Sequence, residues 1–344
     1  MHSLNLGFSF ISIVLLMLLA LSQSASAGAE CASLGGGCDD GGWDPMAKLD
    51  EIGNTSADQQ PANTKWPAKS REQRWNMSAS TESSSAREGT EDAAAEQQAI
   101  TVRSDEAAAI LAPLDAVNGA DILLDVSENS SSHIAGSVVI PYMQFNEQPG
   151  LLKNLSEITE ILGDAGISRE DSVVIYGECL PCGGGPSVAT YVYWMMKGLG
   201  HERVRVLDGT AEDWQASGRV VTSDAAVLAG KTYSAAPTAN YTATYEMVNG
   251  GGVQIVDART VQEFGSGSIP GSINIPYASV LDGNKIKSEE KLEKIFGLLD
   301  KGQSVVVFTN TGMKASVVWF ALEMMGYDAR LYSYQDWVAN HRDR

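Results

Sequence analysis

Short, dense apolar runs punctuate the chain from about Ile100 onward. Ile122-Leu-Leu-Asp-Val, Val173-Val-Ile-Tyr and Val204-Arg-Val-Leu are of the type found in strands buried on both faces. Between them, Leu155 to Leu162 and Val188 to Leu199 read as helices. Alternating strand and helix predicts an α/β domain with a largely parallel sheet.

The pattern then returns. Val253-Gln-Ile-Val-Asp answers Ile122-Leu-Leu-Asp, and Gly271-Ser-Ile-Asn-Ile-Pro answers Gly136-Ser-Val-Val-Ile-Pro. Ser304-Val-Val-Val-Phe answers Ser172-Val-Val-Ile-Tyr. The helix from Ala315 answers that from Ala189, and Asp336-Trp337 answers Asp213-Trp214. Landmarks kept in one order mark a duplication. The reading gives one domain over 99–225 and a second over 238–344, joined where Ala, Ser, Thr and Pro cluster. The expected core comprises Leu124, Val174, Ile175, Trp194, Leu207, Ile255, Val306, Val307, Trp319 and Leu331.

On these motifs each half resembles a rhodanese domain, and the pair resembles a tandem sulfurtransferase. Asp257-Ala-Arg259 is similar to the family's strand-end Asp-x-Arg. Ser268-Ile-Pro-Gly-Ser-Ile-Asn-Ile-Pro is similar to its Gly-His-Ile-Pro-Gly-Ala-x-Asn-Ile-Pro. The first half keeps the His of that motif as His133, with Asp125 at its strand end. The resemblance implies two rhodanese-like α/β domains, each a small, mainly parallel sheet flanked by helices. Asp125, His133, Asp257 and Arg259 are expected to support turns rather than to react.

In this family the chemistry lies in a loop between a strand and a helix. Inward-turned backbone N–H groups and the helix N-terminus form an anion cradle there. A Cys at the loop start, held as thiolate, takes up sulfane sulfur as a persulfide. In the second half this loop reads Thr309-Asn310-Thr311-Gly312-Met313-Lys314. Thr309 stands where the resemblance places the Cys, and a hydroxyl forms no stable persulfide. The cradle residues Thr309, Asn310, Thr311, Gly312 and Lys314 can still hold an anion, or they can be scaffold alone.

The equivalent stretch of the first half is Gly177-Glu-Cys179-Leu-Pro-Cys182-Gly183-Gly184-Gly185-Pro-Ser187. Counted back from the helix, Cys182 lies seven residues before Ala189, and Thr309 six before Ala315. Cys182 and Cys179 are the candidate catalytic pair, with Gly183, Gly184, Gly185 and Ser187 as the candidate anion cradle. The loop holds no Lys or Arg, which argues against thiosulfate binding and against phosphatase or arsenate-reductase chemistry. Three readings of Cys179-x-x-Cys182 stay open: a sulfur-carrying or redox pair, a structural disulfide, or part of a metal site. No cofactor is expected, and no metal is assigned.

Charge and the N-terminus add compartment. The 344 residues carry a formal net charge of -19. Such a surface repels phosphate backbones and sets nucleic acid aside as a partner. Residues 1–27 contain no charged side chain, run apolar from Phe8 to Leu21 and end in Ala25-Ser-Ala27. This is the form of a cleaved signal peptide, an uncleaved anchor being the alternative and the one expected route to membrane contact. Residues 28–98 have the composition of a disordered or linker arm. Within it, Trp43 to Gly53 reads as a docking motif or as a helical turn on a neighbouring domain. Export gives weight to sequons at Asn54, Asn76, Asn129, Asn154 and Asn240, and to disulfides among Cys31, Cys38, Cys179 and Cys182.

Two functions follow as expectations. One is an exported or cell-surface sulfurtransferase or thiol-redox protein, whose partners are a small sulfur-containing anion or a thiol acceptor. The other is an inactive tandem module serving binding or structure.

Overall fold

The computed structural model of the chain describes residues 103–179 and 185–341. The expected signal segment (1–27) and arm (28–98) lie outside them, with Trp43 to Gly53, Asn54, Asn76, Cys31 and Cys38. So do the loop residues Cys182, Gly183 and Gly184.

The first repeat contains α1 (Asp105–Ala108), β1 (Leu111–Ala112), β2 (Asp121–Asp125), β3 (His133–Ile134), β4 (Val138–Val139), β5 (Asn146–Gln148) and β6 (Leu151–Leu152). It continues with α2 (Leu155–Asp164), β7 (Ser172–Tyr176), α3 (Ser187–Gly198), β8 (Val204–Leu207), α4 (Ala211–Ala216) and β9 (Val221–Thr222). The second contains α5 (Tyr245–Gly250), β10 (Gln254–Asp257), α6 (Val261–Ser266), β11 (Ile273–Asn274), β12 (Leu281–Asp282) and β13 (Lys285–Ile286). It ends with α7 (Glu289–Phe296), β14 (Val305–Thr309), α8 (Ala315–Met324), β15 (Ala329–Ser333) and α9 (Tyr334–His341).

The main sheets are parallel throughout, in the orders β1-β8-β7-β2-β4 and β11-β10-β14-β15. The second sheet matches the first strand for strand, except that a parallel bridge from Thr242 to Leu331 takes the place of β1. Side-chain alternation explains the layering. Val305 and Val307 of β14 join the main core, whereas Val306 and Phe308 face the outer cluster with Tyr245 and Trp337. Val173 and Ile175 of β7 do the same, with Val174 and Tyr176 on the far face. Every residue named above as core is buried.

Helices α3 and α8 are apolar around most of their circumference because each is covered twice, by its own sheet and by the other helix. Equivalent positions meet there: the Thr190 and Ser316 hydroxyls lie 2.8 Å apart, both fully buried. Tyr193 of α3 packs edge-on against Phe320 and beside Trp319. Helix starts are locally encoded, as at α2, where Asn154 accepts the Glu157 N–H and Glu157 accepts the Asn154 N–H. The segment between β9 and α5 is tied to the first repeat. Lys231 N–H donates to the Gly163 carbonyl, and the Tyr233 hydroxyl meets buried His201. His201 Nε2–H donates to the Asp171 carbonyl, so its Nδ1 accepts from Tyr233.

Burial pushes Glu323 of α8 up to about 7, against a partial offset from its hydrogen bond to the Ala329 N–H and from Lys197. The unfolded carboxyl ionises near 4.5, so between these values the folded state holds a proton that the unfolded state has lost. Stability therefore falls as pH rises from 4.5 to about 7, by about 3 kcal/mol, and levels off above. Glu323→Gln is expected to flatten this slope and to raise stability at alkaline pH by a similar amount, as read from urea unfolding across the pH range.

Candidate functional site

The strand-to-helix loops stand at the C-terminal ends of the parallel sheets, where open α/β folds gather their ligands. In the second repeat β14 ends on Thr309, 6% exposed, whose Oγ1 accepts the Gly312 N–H at 3.1 Å. Gly312 has φ +77°, a left-handed conformation that favours glycine and here turns that N–H inward. One donor of the cradle is thus taken by the hydroxyl that replaces the expected thiol. Asn310 donates to Glu263 at 3.3 Å and is exposed. Lys314 Nζ donates to the Tyr277 hydroxyl at 3.3 Å and lies 4.6 Å from that ring centre, so the one cation of the loop is engaged sideways.

The supporting residues are brought together in pairs. Arg259 clasps Asp257 through Nε (3.0 Å) and Nη2 (2.6 Å), donates to the Gly267 carbonyl and lies over Tyr334, 4.0 Å from the ring centre. Ser268 Oγ completes the set by donating to Asp257 at 2.7 Å. In the first repeat His133 Nδ1 occupies the place of that serine, 2.7 Å from Asp125, and both are buried. Both pairs fasten the ends of β2 and β10 beneath their loops. Neither aims a free group at the loop.

The first-repeat loop differs in length. Asp125 pairs with Tyr176 as Asp257 pairs with Phe308, so counted from the strand the place of Thr309 falls on Gly177. Counting back from Ala189 pointed instead to Cys182, because the stretch from Gly177 to Ala189 is longer than that from Thr309 to Ala315. The cysteines therefore occupy an insertion between β7 and α3. Cys179 is 2% exposed and disulfide-bonded. Gly185 has φ +75°, and Ser187 opens α3 with its hydroxyl buried and without a hydrogen-bond partner. Among the described residues no three His, Cys, Asp or Glu side chains converge as a metal site.

Glu178 was not singled out by the sequence. Its backbone N–H donates to Ser127 Oγ at 3.3 Å, and its carboxylate takes the Gly185 N–H. The other carboxylate oxygen, Oε1, is buried without a partner. Burial, then the charges of Glu212 and Asp213, raise its pKa above the ordinary carboxylate value despite the Gly185 bond. It borders a small cavity of about 10 Å³, near the room one water needs, together with Gly185, Thr210 and Asn284. A larger cleft of about 490 Å³ opens near the start of β10, beside Trp337 and His341, away from both loops.

Asn284 belongs to the β12–β13 hairpin of the second repeat, so each repeat covers the loop of the other. Leu281 lies 3.4 Å from where a Cβ would stand on Gly185, and Lys285 reaches Asp213 at 2.8 Å. Reciprocally, Gly150 at the β5–β6 turn presses on Thr311, where a Cβ would come within 2.8 Å. No local sequence pattern announces these contacts between distant residues.

A family model for the rhodanese-like domain matches residues 106–217 and again 241–340. The chain is 28% identical over 235 residues to a Mycobacterium bovis protein named "Putative thiosulfate sulfurtransferase 1", covering 60% of this chain and 83% of that one. Its fold is similar to that of SseA from Escherichia coli, a structure titled for 3-mercaptopyruvate sulfotransferases (TM-score 0.57, 20% identity, 64% of this chain and 97% of that one). It is similar also to Tum1 from Saccharomyces cerevisiae (TM-score 0.58, 18% identity, 67% and 95%).

Proposed function

Since the chain belongs to the rhodanese-like domain family, in two copies, we propose that it is an exported sulfurtransferase or thiol-redox protein working through the β7–α3 loop of its first repeat. The observation that carries this reading is the placement of sulfur. Thr309 ends β14 where the family's cysteine is expected, while the corresponding loop of the first repeat holds a disulfide-bonded Cys179 three residues beyond β7. The sulfurtransferase names of the relatives agree with it.

On this reading Cys182 is the nucleophile and Cys179 its resolving partner. The Cys182 thiolate attacks the outer sulfur of a sulfane donor, forms a persulfide and releases the remainder of the donor, which is sulfite when the donor is thiosulfate. A thiol acceptor removes that sulfur. Alternatively, the Cys179 thiolate attacks the inner sulfur of the persulfide, forming a Cys179–Cys182 disulfide and expelling hydrosulfide, and an external thiol then resets the pair. Export favours such a bond, and Asn129 and Asn240, both exposed, are the described sequons best placed for glycans.

Mass spectrometry of the reduced protein after incubation with thiosulfate or an organic persulfide is expected to find the added sulfur on the Cys182 peptide. Sulfur transfer to cyanide should fall on the order of a thousandfold or more in Cys182→Ser and persist in Thr309→Val. Transfer that survives Cys182→Ser would remove the reading. The second reading, a non-catalytic binding module, is favoured by Thr309 and by the engaged Lys314. It is the conclusion if no donor leaves sulfur on Cys182.

A further inference from the structure

One edge differs between the two repeats. In the first, the chain leaves α4, lays Arg219 over Trp214, 4.5 Å from the ring centre, and returns as β9 antiparallel to β3. There the Ala135 N–H donates to the Val220 carbonyl at 3.1 Å, and the Tyr176 hydroxyl accepts the Ile134 N–H at 2.8 Å. The second repeat has no counterpart of the β3–β9 pair among the described residues, which end with α9 at His341. Its equivalent edge, Ile269-Pro270-Gly271, forms a wall of the cleft of about 490 Å³ beside Trp337. Pro270 stands for Ala135 and has no N–H to give, and Phe308 stands for Tyr176 and has no hydroxyl. Arg342-Asp343-Arg344 carry charge where the first repeat has Arg219-Val220-Val221. A copy of β9 therefore does not suit this edge. The cleft walls are mostly apolar, from Val248, Val253, Ile255, Ile269 and Trp337, and suit inserted apolar side chains instead.

We propose that the cleft receives the segment Trp43 to Ile52 of the chain's own N-terminal arm. Within residues 28–98 this segment alone places four large apolar side chains, Trp43, Met46, Leu49 and Ile52, at every third position. That spacing sets them along one side of a short helix, the form in which amphipathic segments enter apolar grooves. Tryptophan is the side chain that most often anchors such a contact.

Length and starting point fit this occupant. The described chain begins at Arg103, whose guanidinium donates to the Ile286 and Lys287 carbonyls of the second repeat. A coil the length of residues 54–102 spans about 40 Å. A domain the size of the second repeat is roughly 35 Å across. The segment therefore reaches the cleft of its own chain, and the tether raises its effective concentration there.

Hydrogen exchange of the full chain tests this. A surface covered about nine-tenths of the time exchanges about tenfold more slowly. In Trp43→Ala/Met46→Ala/Leu49→Ala, amides of 249–253 and 269–273 are expected to exchange on the order of tenfold faster than in the wild type, while those of β7 and β14 keep their rates. The three substitutions leave every residue of both sheets in place. A second measurement maps the contact. With p-benzoylphenylalanine in place of Met46, irradiation of the full chain is expected to cross-link it, within one molecule, to peptides holding Val248, Ile269 or Trp337. Unchanged exchange in the triple variant, or cross-links to other surfaces, would overturn the proposal. Cross-links that join two chains would also overturn it and make a second copy the occupant. Faster exchange in Arg342→Ala/Arg344→Ala, with none in the arm variant, would do the same and make the residues after α9 the cover.

Discussion

Trp319→Ala is expected to lower the unfolding free energy by about 4 kcal/mol, the range found when a fully buried aromatic side chain is truncated. Trp319 is inaccessible to solvent and donates its Nε1–H to the Ala329 carbonyl at 2.9 Å. It also packs on Tyr193 of α3 and edge-on against Tyr241 of the connecting segment. The substitution therefore empties a space shared by both repeats and leaves a buried carbonyl without its donor. Trp319→Phe should cost less, about 1–2 kcal/mol, because the ring remains and the hydrogen bond is lost. Urea midpoints at constant m-value give the comparison. A loss below about 1 kcal/mol for the alanine variant would mean that α3 and α8 do not share one core.

Arg103→Met is expected to cost about 3–5 kcal/mol, as when one member of a buried ion pair is removed. The guanidinium donates to both Asp208 oxygens at 2.8 and 3.1 Å and to the Ile286 and Lys287 carbonyls, each at 2.7 Å. It also reaches Glu289. Methionine fills similar volume but abandons the Asp208 carboxylate and both carbonyls. Arg103→Lys should rescue little, since an ammonium cannot reproduce a planar fork of five donors. Arg103→Met/Asp208→Leu should recover much of the loss, because no buried charge is then left alone. Hydrogen exchange supplies a local check: amides 285–289 should lose protection in Arg103→Met even where the remainder of the chain keeps it. Full protection there would show that the hairpin is held by other means.

The fold was legible because its signals are local and repeated. Buried strands of four or five residues and a second copy of each landmark pointed one way. The site was less so. The Asp125–His133 and Asp257–Arg259 pairs follow from motif positions eight and two residues apart, and the structure brings each pair together. The register of the first-repeat loop could not be read from the helix, since the added residues lie between β7 and α3. The N-cap residue of α3 is Pro186, which makes no side-chain cap hydrogen bond. Glu178, Gly150 and Lys285 gain their meaning from the opposite repeat, a relation that no local pattern encodes.

The contact between Thr190 and Ser316 carries a historical consequence. When the same position of two copies touches itself, it lies on a two-fold axis, the signature of an isologous homodimer. A single-repeat forebear that paired through this helix would have had two identical loops, each roofed by its sister chain. Joining two such copies end to end would keep that geometry and let the loops diverge, as those holding Thr309 and Cys179 differ here.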